Sequence, residues 1–447
     1  MPLIAPLCIA RALAAAEFSL ATFEADVTVP VGHGMMGGAW QAKSVADPLL
    51  ARGFVILGAE KPIVFVSVDW CEIRNDAYDR WRAALAEAAG TESVRVFVTT
   101  IHQHEAPVAD LEAERILRAR NLAGSVCDLE FHEKAVRRVA EALRASLPKA
   151  RRFTHLGTGQ AKVERIASNR RYVLPDGKLS FDRGSATRNV LAREAGDGVI
   201  DPWLKTLSFW NGDTPLAAVS GYATHPMSYY RTGEISADFP GLARARRQKE
   251  LPDVFQIYFS GCSGNVTAGK YNDGARTNRI ALADRLHAAM SAAWQETRRR
   301  PVEKIAFRHV PLKLMLRENG DFDPVEMEKK LTAGVAPFQQ CLAAMGLSWR
   351  KRSAAGRPID LPLIDFGAAQ FLLLPGEAYV EYQLAAQKLR PDSFVLVAGY
   401  GDGATGYIPT EQHWAERDGN LSDWCWVAPG AEQTMMDALR RVLLPPR

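Results

Sequence analysis

The chain has 447 residues, 47% of them apolar and 24% charged, and a formal net charge of +4. That balance suits a folded globular enzyme of one large domain or two ordinary ones, and it excludes a disordered or fibrous chain. The densest basic runs (Arg244-Ala245-Arg246-Arg247 and Arg298-Arg299-Arg300) fall in helical contexts and read as solvated faces, so no nucleic-acid partner is expected.

In chain order, residues 1–16 are apolar and end in small residues like a signal peptide, but they lack a basic start and Arg11 interrupts them. Residues 1–19 are therefore set apart as an N-terminal segment, and the compartment, cytoplasmic or exported, stays open. Residues 18–31 alternate like a strand and run into the glycine-rich turn Gly32 to Gly38. Segments 54–57 and 63–68 read as a hairpin, 76–89 as a helix and 94–101 as a buried strand. The period over 128–147 predicts an amphipathic helix with Asp128 as N-cap and His132 at its surface. Strands are expected near 153–166, then a polar loop to about residue 200, long enough to cover or line a site. Strands at 206–210, 216–222, 254–259, 304–314, 361–374 and 394–398 alternate with helices at 241–250, 276–296, 324–345 and 431–443. Helix 276–296 carries Ile280, Ala283, Met290 and Trp294 on its apolar side. This alternation predicts an α/β fold: a mixed β-sheet core, in one sheet or two, flanked by helices in a single large domain over residues 20–447. The six cysteines (Cys8, Cys71, Cys127, Cys262, Cys341, Cys425) form no C-x-x-C, which argues against a zinc ribbon or a disulfide scaffold.

Chemistry-bearing side chains gather at strand ends. The stretch Val98 to Pro107 reads V-T-T-I-H-Q-H-E-A-P. Residues i and i+2 of a strand share a face, so His102 and His104 are expected to project together where open α/β sheets place their sites. Two neighbouring imidazoles suit a metal, one ligating and the other holding a substrate group; the rival is a satisfied structural pair. His225 follows the strand 216–222, and Glu377 follows Leu374-Pro375-Gly376. Histidine nitrogens and a carboxylate are a zinc donor set. Asp238 and His33 lie in turns near these motifs and are candidates for the general base or acid, or for a helix cap and a turn residue.

The ordered set T-x-H-x-H-x-x-P (Thr100 to Pro107), A-T-H (Ala223 to His225), G-N-V-T (Gly264 to Thr267), P-G-E (Pro375 to Glu377) and G-Y-I-P-T (Gly406 to Thr410) resembles the neutral/alkaline non-lysosomal ceramidase catalytic domain. The opening D-V-T-V-P-V-G (Asp26 to Gly32) is similar to that family's start, and the resemblance spans roughly residues 20–415. It implies a zinc ion held by His102, His225, Glu377 and Tyr407, with His104 contacting the substrate or the developing oxyanion. It also implies Arg170, in Asn169-Arg170-Arg171, as the basic group of the site, and hydrolysis of the ceramide amide to sphingosine and a fatty acid. Where the family reads G-D-V-S-P-N this chain has Gly264-Asn265-Val266-Thr267-Ala268-Gly269, so Thr267 stands at the serine position. Some 37 residues follow Thr410, leaving no counterpart of the family's C-terminal immunoglobulin-like domain. The substrate expected is a ceramide-like or other N-acyl compound, with transient contact to a membrane surface if it is a lipid. Two rivals stand beside this zinc amidohydrolase. One is a serine hydrolase using Ser263 in Gly261-Cys262-Ser263-Gly264-Asn265, which lacks the last glycine of a nucleophile elbow. The other is a non-catalytic metal- or ligand-binding protein of the same fold.

Overall fold

The structure is a computed structural model that describes residues 17–444. The signal-like stretch 1–16, with Cys8, lies outside the described residues. Three sheets form the core, one more than expected. The first orders Arg151–Phe153, Phe18–Asp26, Leu50–Leu57, Ile63–Val68 and Val96–Thr100; the second orders Phe255–Ser260, Thr214–Tyr222, Trp203–Asn211, His155–Lys162 and Arg298–Pro301. The third orders Ala306–Leu312, Ile359–Asp365, Ala369–Leu373 and Phe394–Ala398.

Each sheet is antiparallel except for one edge pair, which is parallel. The registers are Val68 against Thr100, Tyr222 against Ser260 and Leu373 against Ala398, so in each sheet two strand carboxyl ends finish side by side. Those ends meet. Thr100 N donates to Tyr400 O (3.1 Å), Gly399 N to Ser260 O (2.9 Å) and Ser260 Oγ to Ile101 O (2.7 Å). Beneath the junction Phe54 and Phe65 of the first sheet, Phe259 of the second and Phe371 of the third share one aromatic core. The Phe65–Phe371 centroids lie 4.8 Å apart and the Phe259–Phe371 centroids 5.2 Å. Such pairs add about 0.5–1.5 kcal/mol each beyond their buried area.

Helices cover the outer faces. Leu129–Ser146 lies on the first sheet with Asp128 capping it, its carboxylate accepting from Phe131 N at 2.8 Å as expected. Thr277–Gln295 packs on the second sheet and Ala431–Leu443 on the third. Among the described residues no helix is long and apolar enough to cross a membrane.

Several local expectations are corrected. His132 is buried, not exposed, packed between Trp70 and Trp81. Ile280 is half exposed, so the buried stripe of its helix runs through Ala283 and Met290 instead. The helix expected at 324–345 is two, Pro324–Lys330 and Pro337–Ala354, parted where Gly334 takes φ of 94° and Pro337 opens a new first turn. The basic runs are not plain helical faces. Arg298–Pro301 is an edge strand, and Arg244 is buried in a bidentate pair with Asp69 at 2.7 and 2.6 Å.

Candidate metal centre

His102 stands two residues past the strand Val96–Thr100, and its backbone is left-handed (φ 65°). Strand alternation therefore does not orient the pair with His104. A tight turn does, leaving the two rings 5.3 Å apart. His225 follows Thr214–Tyr222, its amide bound to Val266 O. Glu377 follows Ala369–Leu373 through Gly376, whose φ of 52° reverses the chain. A short parallel pairing then sets Glu377 beside Tyr407. Each sheet thus delivers one ligand-type side chain to a common point.

The cluster is tight and dry. Glu377 Oε2 lies 2.9 Å from His225 Nε2 and 3.2 Å from His102 Nε2, with all three residues at most 2% exposed. The far nitrogens are committed. His225 Nδ1 lies 2.5 Å from Ser263 O, and His102 Nδ1 lies 3.0 Å from Cys71 O. A carbonyl only accepts, so each Nδ1 carries its proton and each Nε2 of a neutral ring turns a lone pair toward Glu377. Arg170 Nη2 donating toward His225 Nε2 (3.3 Å) agrees with that tautomer. Two lone pairs against a carboxylate repel unless a cation, or a proton on one of the rings, lies among them. The titration behaviour shows the same demand for positive charge beside Glu377, met by a proton on His102 where no cation takes its place. Burial, then the Arg170 charge, lowers His225 to about 4, so it stays neutral. Burial also opposes the His102 imidazolium, yet Glu377 and Cys71 together outweigh it and lift that ring well above its ordinary range. Burial would raise the Glu377 carboxyl, but His102 and His225 hold it well below the usual carboxylate range. The site calls for a positive charge between these atoms. The donor set fits zinc, and the spacings are near the roughly 3.3 Å that neighbouring ligands have in a zinc tetrahedron with ~2 Å bonds. His102, His225 and Glu377 could therefore hold a metal. Cys71, His102 and His104 also converge, but burial pushes the Cys71 thiol up to about 11, which disfavours a thiolate ligand.

Of the other expected site residues, Arg170 and Tyr407 join the cluster. Arg170 Nη1 donates to Tyr407 Oη at 2.8 Å and to Asn420 Oδ1 at 3.2 Å. Burial, then the Glu377 charge, keeps the Tyr407 phenol above its ordinary range despite Arg170. His104 is half buried, its Nδ1 has no partner, and burial together with the neighbouring charge of His102 keeps it neutral. It is the cluster's face toward solvent.

Thr267, Asp238, His33 and Ser263 have their polar atoms committed elsewhere. Thr267 Oγ1 donates to Gly184 O (2.8 Å). Asp238 accepts from Ser228 N (3.1 Å), Phe239 N (2.6 Å) and Arg279 (3.4 Å), a buried clamp within the second layer. His33 bridges Gly34 O and Asp128 N. Ser263 is fully buried, its hydroxyl paired with Tyr400 Oη at 2.7 Å and no base nitrogen bonded to it. The elbow geometry expected of a serine nucleophile is absent there. The stretch works through its backbone instead: Ser263 O holds His225 Nδ1, Val266 O holds His225 N, and Asn265 O accepts from Arg170 N at 2.8 Å. Carbonyls are indifferent to side-chain identity, so the departures at Asn265 and Thr267 leave that cradle whole.

Two contributors belong to none of the site motifs in the sequence. The Tyr400 ring stacks on His102 (centroids 4.2 Å apart, 17°), and Glu72 lies 4.0 Å from His102 Nδ1 while accepting from Trp424 Nε1 (3.1 Å). Tyr400 could have been found by the strand-end rule, since it follows Phe394–Ala398. A cavity of about 840 Å³, between Arg298 and Arg300 on the second sheet and Phe366 and Phe394 on the third, contains none of the cluster.

No protein-family model matches the chain, and no curated protein matches it. Solved structures do. The chain is similar to the crystal structure of neutral ceramidase from Pseudomonas aeruginosa, with a TM-score of 0.68 at 17% identity, over 96% of this chain and 76% of that one. It is likewise similar to a ceramidase complexed with C2, with a TM-score of 0.69 at 16% identity and the same coverage. Three sheets joined at their parallel ends, matched over nearly the whole chain, mean that this protein has a neutral-ceramidase-like fold.

Proposed function

We propose that the chain is a zinc-dependent amidohydrolase that cleaves a ceramide-like or other N-acyl amide. The observation that carries the reading is the convergence of His102 Nε2 and His225 Nε2 on one Glu377 oxygen at the meeting point of three sheets. His102, His225 and Glu377 would hold the zinc, which when bound would supply an activated water near neutral pH and a polarised carbonyl. The chain's own groups do the rest. Arg170, fixed by Tyr407 and Asn420, presents a guanidinium to the oxygen that gains charge as the amide carbon becomes tetrahedral. Tyr407 stands beside it as the fourth group of the site. His104, neutral and half exposed to solvent, accepts a proton and returns it to the departing amine. Thr267 and Asp238 act as supports, through Gly184 and Arg279.

The test is direct. Purified protein is incubated with ceramides and simpler N-acyl amines, and the released amine is measured by mass spectrometry with and without a chelator. Amine release that a chelator abolishes and zinc restores is the expected result; chelator-insensitive release, or none on any N-acyl substrate, contradicts the proposal.

A further inference from the structure

One side of the site is built from residues that the chemistry above does not use. Trp40 and Tyr230 are both half buried, and their rings lie 5.9 Å apart; Tyr230 packs edge-on to His104 at 5.4 Å. A half-exposed aromatic surface, its two rings tilted by 31°, therefore begins at the group that faces solvent. It is not loosely held. Glu105, one residue after His104 and 1% exposed, spends both carboxylate oxygens on it. Oε2 accepts from Trp40 Nε1 (3.1 Å) and Gly233 N (3.3 Å); Oε1 accepts from Thr232 N (2.6 Å) and Thr232 Oγ1 (2.8 Å). Among the described residues no lysine or arginine pairs with Glu105. A buried carboxylate satisfied only by neutral donors is an expensive device, and what it fixes is the angle between Trp40 and the loop that carries Tyr230. From the other side Arg279, clamped by Asp238, stacks on Tyr229 at 3.8 Å and donates to its carbonyl at 3.3 Å. Arg231 completes the turn in a left-handed conformation (φ 66°). Both flanks of Tyr230 are locked, while its ring, with the exposed Arg231 guanidinium 5.6 Å from its centroid, and that of Trp40 stay half exposed.

We propose that Trp40 and Tyr230 form the wall against which the hydrocarbon chain of the substrate lies as its amide reaches His104, and that Glu105 is the positioning residue for that wall. Rigid aromatic faces offer large apolar contact at little entropic cost, which suits a flexible aliphatic chain rather than a charged or strongly polar group. The proposal deepens the N-acyl hydrolase reading and rests on it for the identity of the substrate, but the wall can be tested without turnover.

Binding of the acetyl, hexanoyl and dodecanoyl amides of ethanolamine is measured by calorimetry, with zinc content and melting temperature checked for each variant. Wild-type affinity is expected to rise about two- to fourfold per added methylene until the wall is covered. Trp40→Ala and Tyr230→Ala should flatten that dependence with zinc content unchanged, while Tyr230→Phe keeps it. Glu105→Ala should flatten it too, and Glu105→Gln, which keeps one acceptor, should restore part. In turnover, Trp40→Ala should raise KM for the dodecanoyl amide at least tenfold, with kcat within twofold and KM for the acetyl amide unmoved. Should an alanine variant fail to fold, Trp40→Leu and Tyr230→Leu at the same half-exposed positions decide the matter by the same slope. Affinity independent of chain length in the wild type, or a slope the variants leave intact, overturns the wall. Chain-length-dependent binding without hydrolysis would keep the wall and overturn the hydrolase instead.

Discussion

Arg170 and Ser263 separate the competing chemistries at the level of single residues. Arg170 reaches Tyr407 Oη and lies 3.3 Å from His225 Nε2, yet it is no ligand. Removing it should leave the metal in place and remove charge stabilisation. Arg170→Ala is therefore expected to keep its zinc, by elemental analysis, and to lose about 10²–10³-fold in kcat. Ser263 is tied to Tyr400 inside the core, and its useful atom is its backbone oxygen. Ser263→Ala keeps that oxygen, so kcat should stay within about tenfold of wild type. A loss of many orders of magnitude with zinc retained would revive the serine nucleophile. At this scale His102, His225, Glu377, Arg170 and Tyr407 are legible in the sequence because each follows a β-rich run or belongs to an ordered motif. Glu72 and the Cys71 carbonyl are not, since they reach the site from another segment and one acts only through backbone; Tyr400 is marked only by its place after the strand Phe394–Ala398. Thr267 and Asp238 read as chemical groups in the sequence, but the atoms that absorb their hydrogen bonds, Gly184 O and Arg279, lie far along the chain.

The elements that present these residues depend on two features, one hidden and one visible in the sequence. His132 lies on the helix Leu129–Ser146 at what its neighbours suggest is the surface, yet the Trp70 and Trp81 rings close over it. The sequence shows the helix but not which of its polar positions a distant tryptophan pair will cover. Burial lowers His132 from 6.5 to about 4, while Glu133 opposes and Arg80, Arg115 and His33 reinforce the shift. The native state thus holds a neutral ring that the unfolded chain protonates below 6.5. Stability from this group is complete above that value and is lost as pH falls through the window toward 4, roughly 3 kcal/mol in all. Melting temperatures measured across that window should fall steeply for wild type and less for His132→Phe; parallel curves would contradict the assignment. The glycine of P-G-E is the visible feature. Gly376 has φ of 52°, and a Cβ there would meet Thr405 Oγ1 at 2.0 Å and Gly406 O at 2.7 Å. Gly376→Ala should displace the Glu377 turn and lower both zinc occupancy and melting temperature, whereas unchanged occupancy would show that the turn does not place Glu377.

Across the whole molecule, His102, His225 and Glu377 come from three different sheets whose parallel ends share hydrogen bonds and one aromatic core. A metal at that point would join all three, and the folded arrangement would gain stability in proportion to its affinity. The α/β class is legible in the sequence, and alternation and β-branched runs mark strands such as Ile63–Val68, Thr214–Tyr222 and Phe394–Ala398 within two residues, whereas 18–31 runs five residues past its strand and 361–374 is two strands parted by a turn. The division into three sheets is not legible, because it depends on which edges pair across Gly399 and Ser260. The most direct test of the account is the zinc content of the purified full chain, beside His102→Ala and Glu377→Ala, each confirmed folded by its melting transition. About one zinc per wild-type chain, lost in both variants, is the predicted result. A metal-free wild type from zinc-replete cells, or variants that keep their zinc, would contradict it.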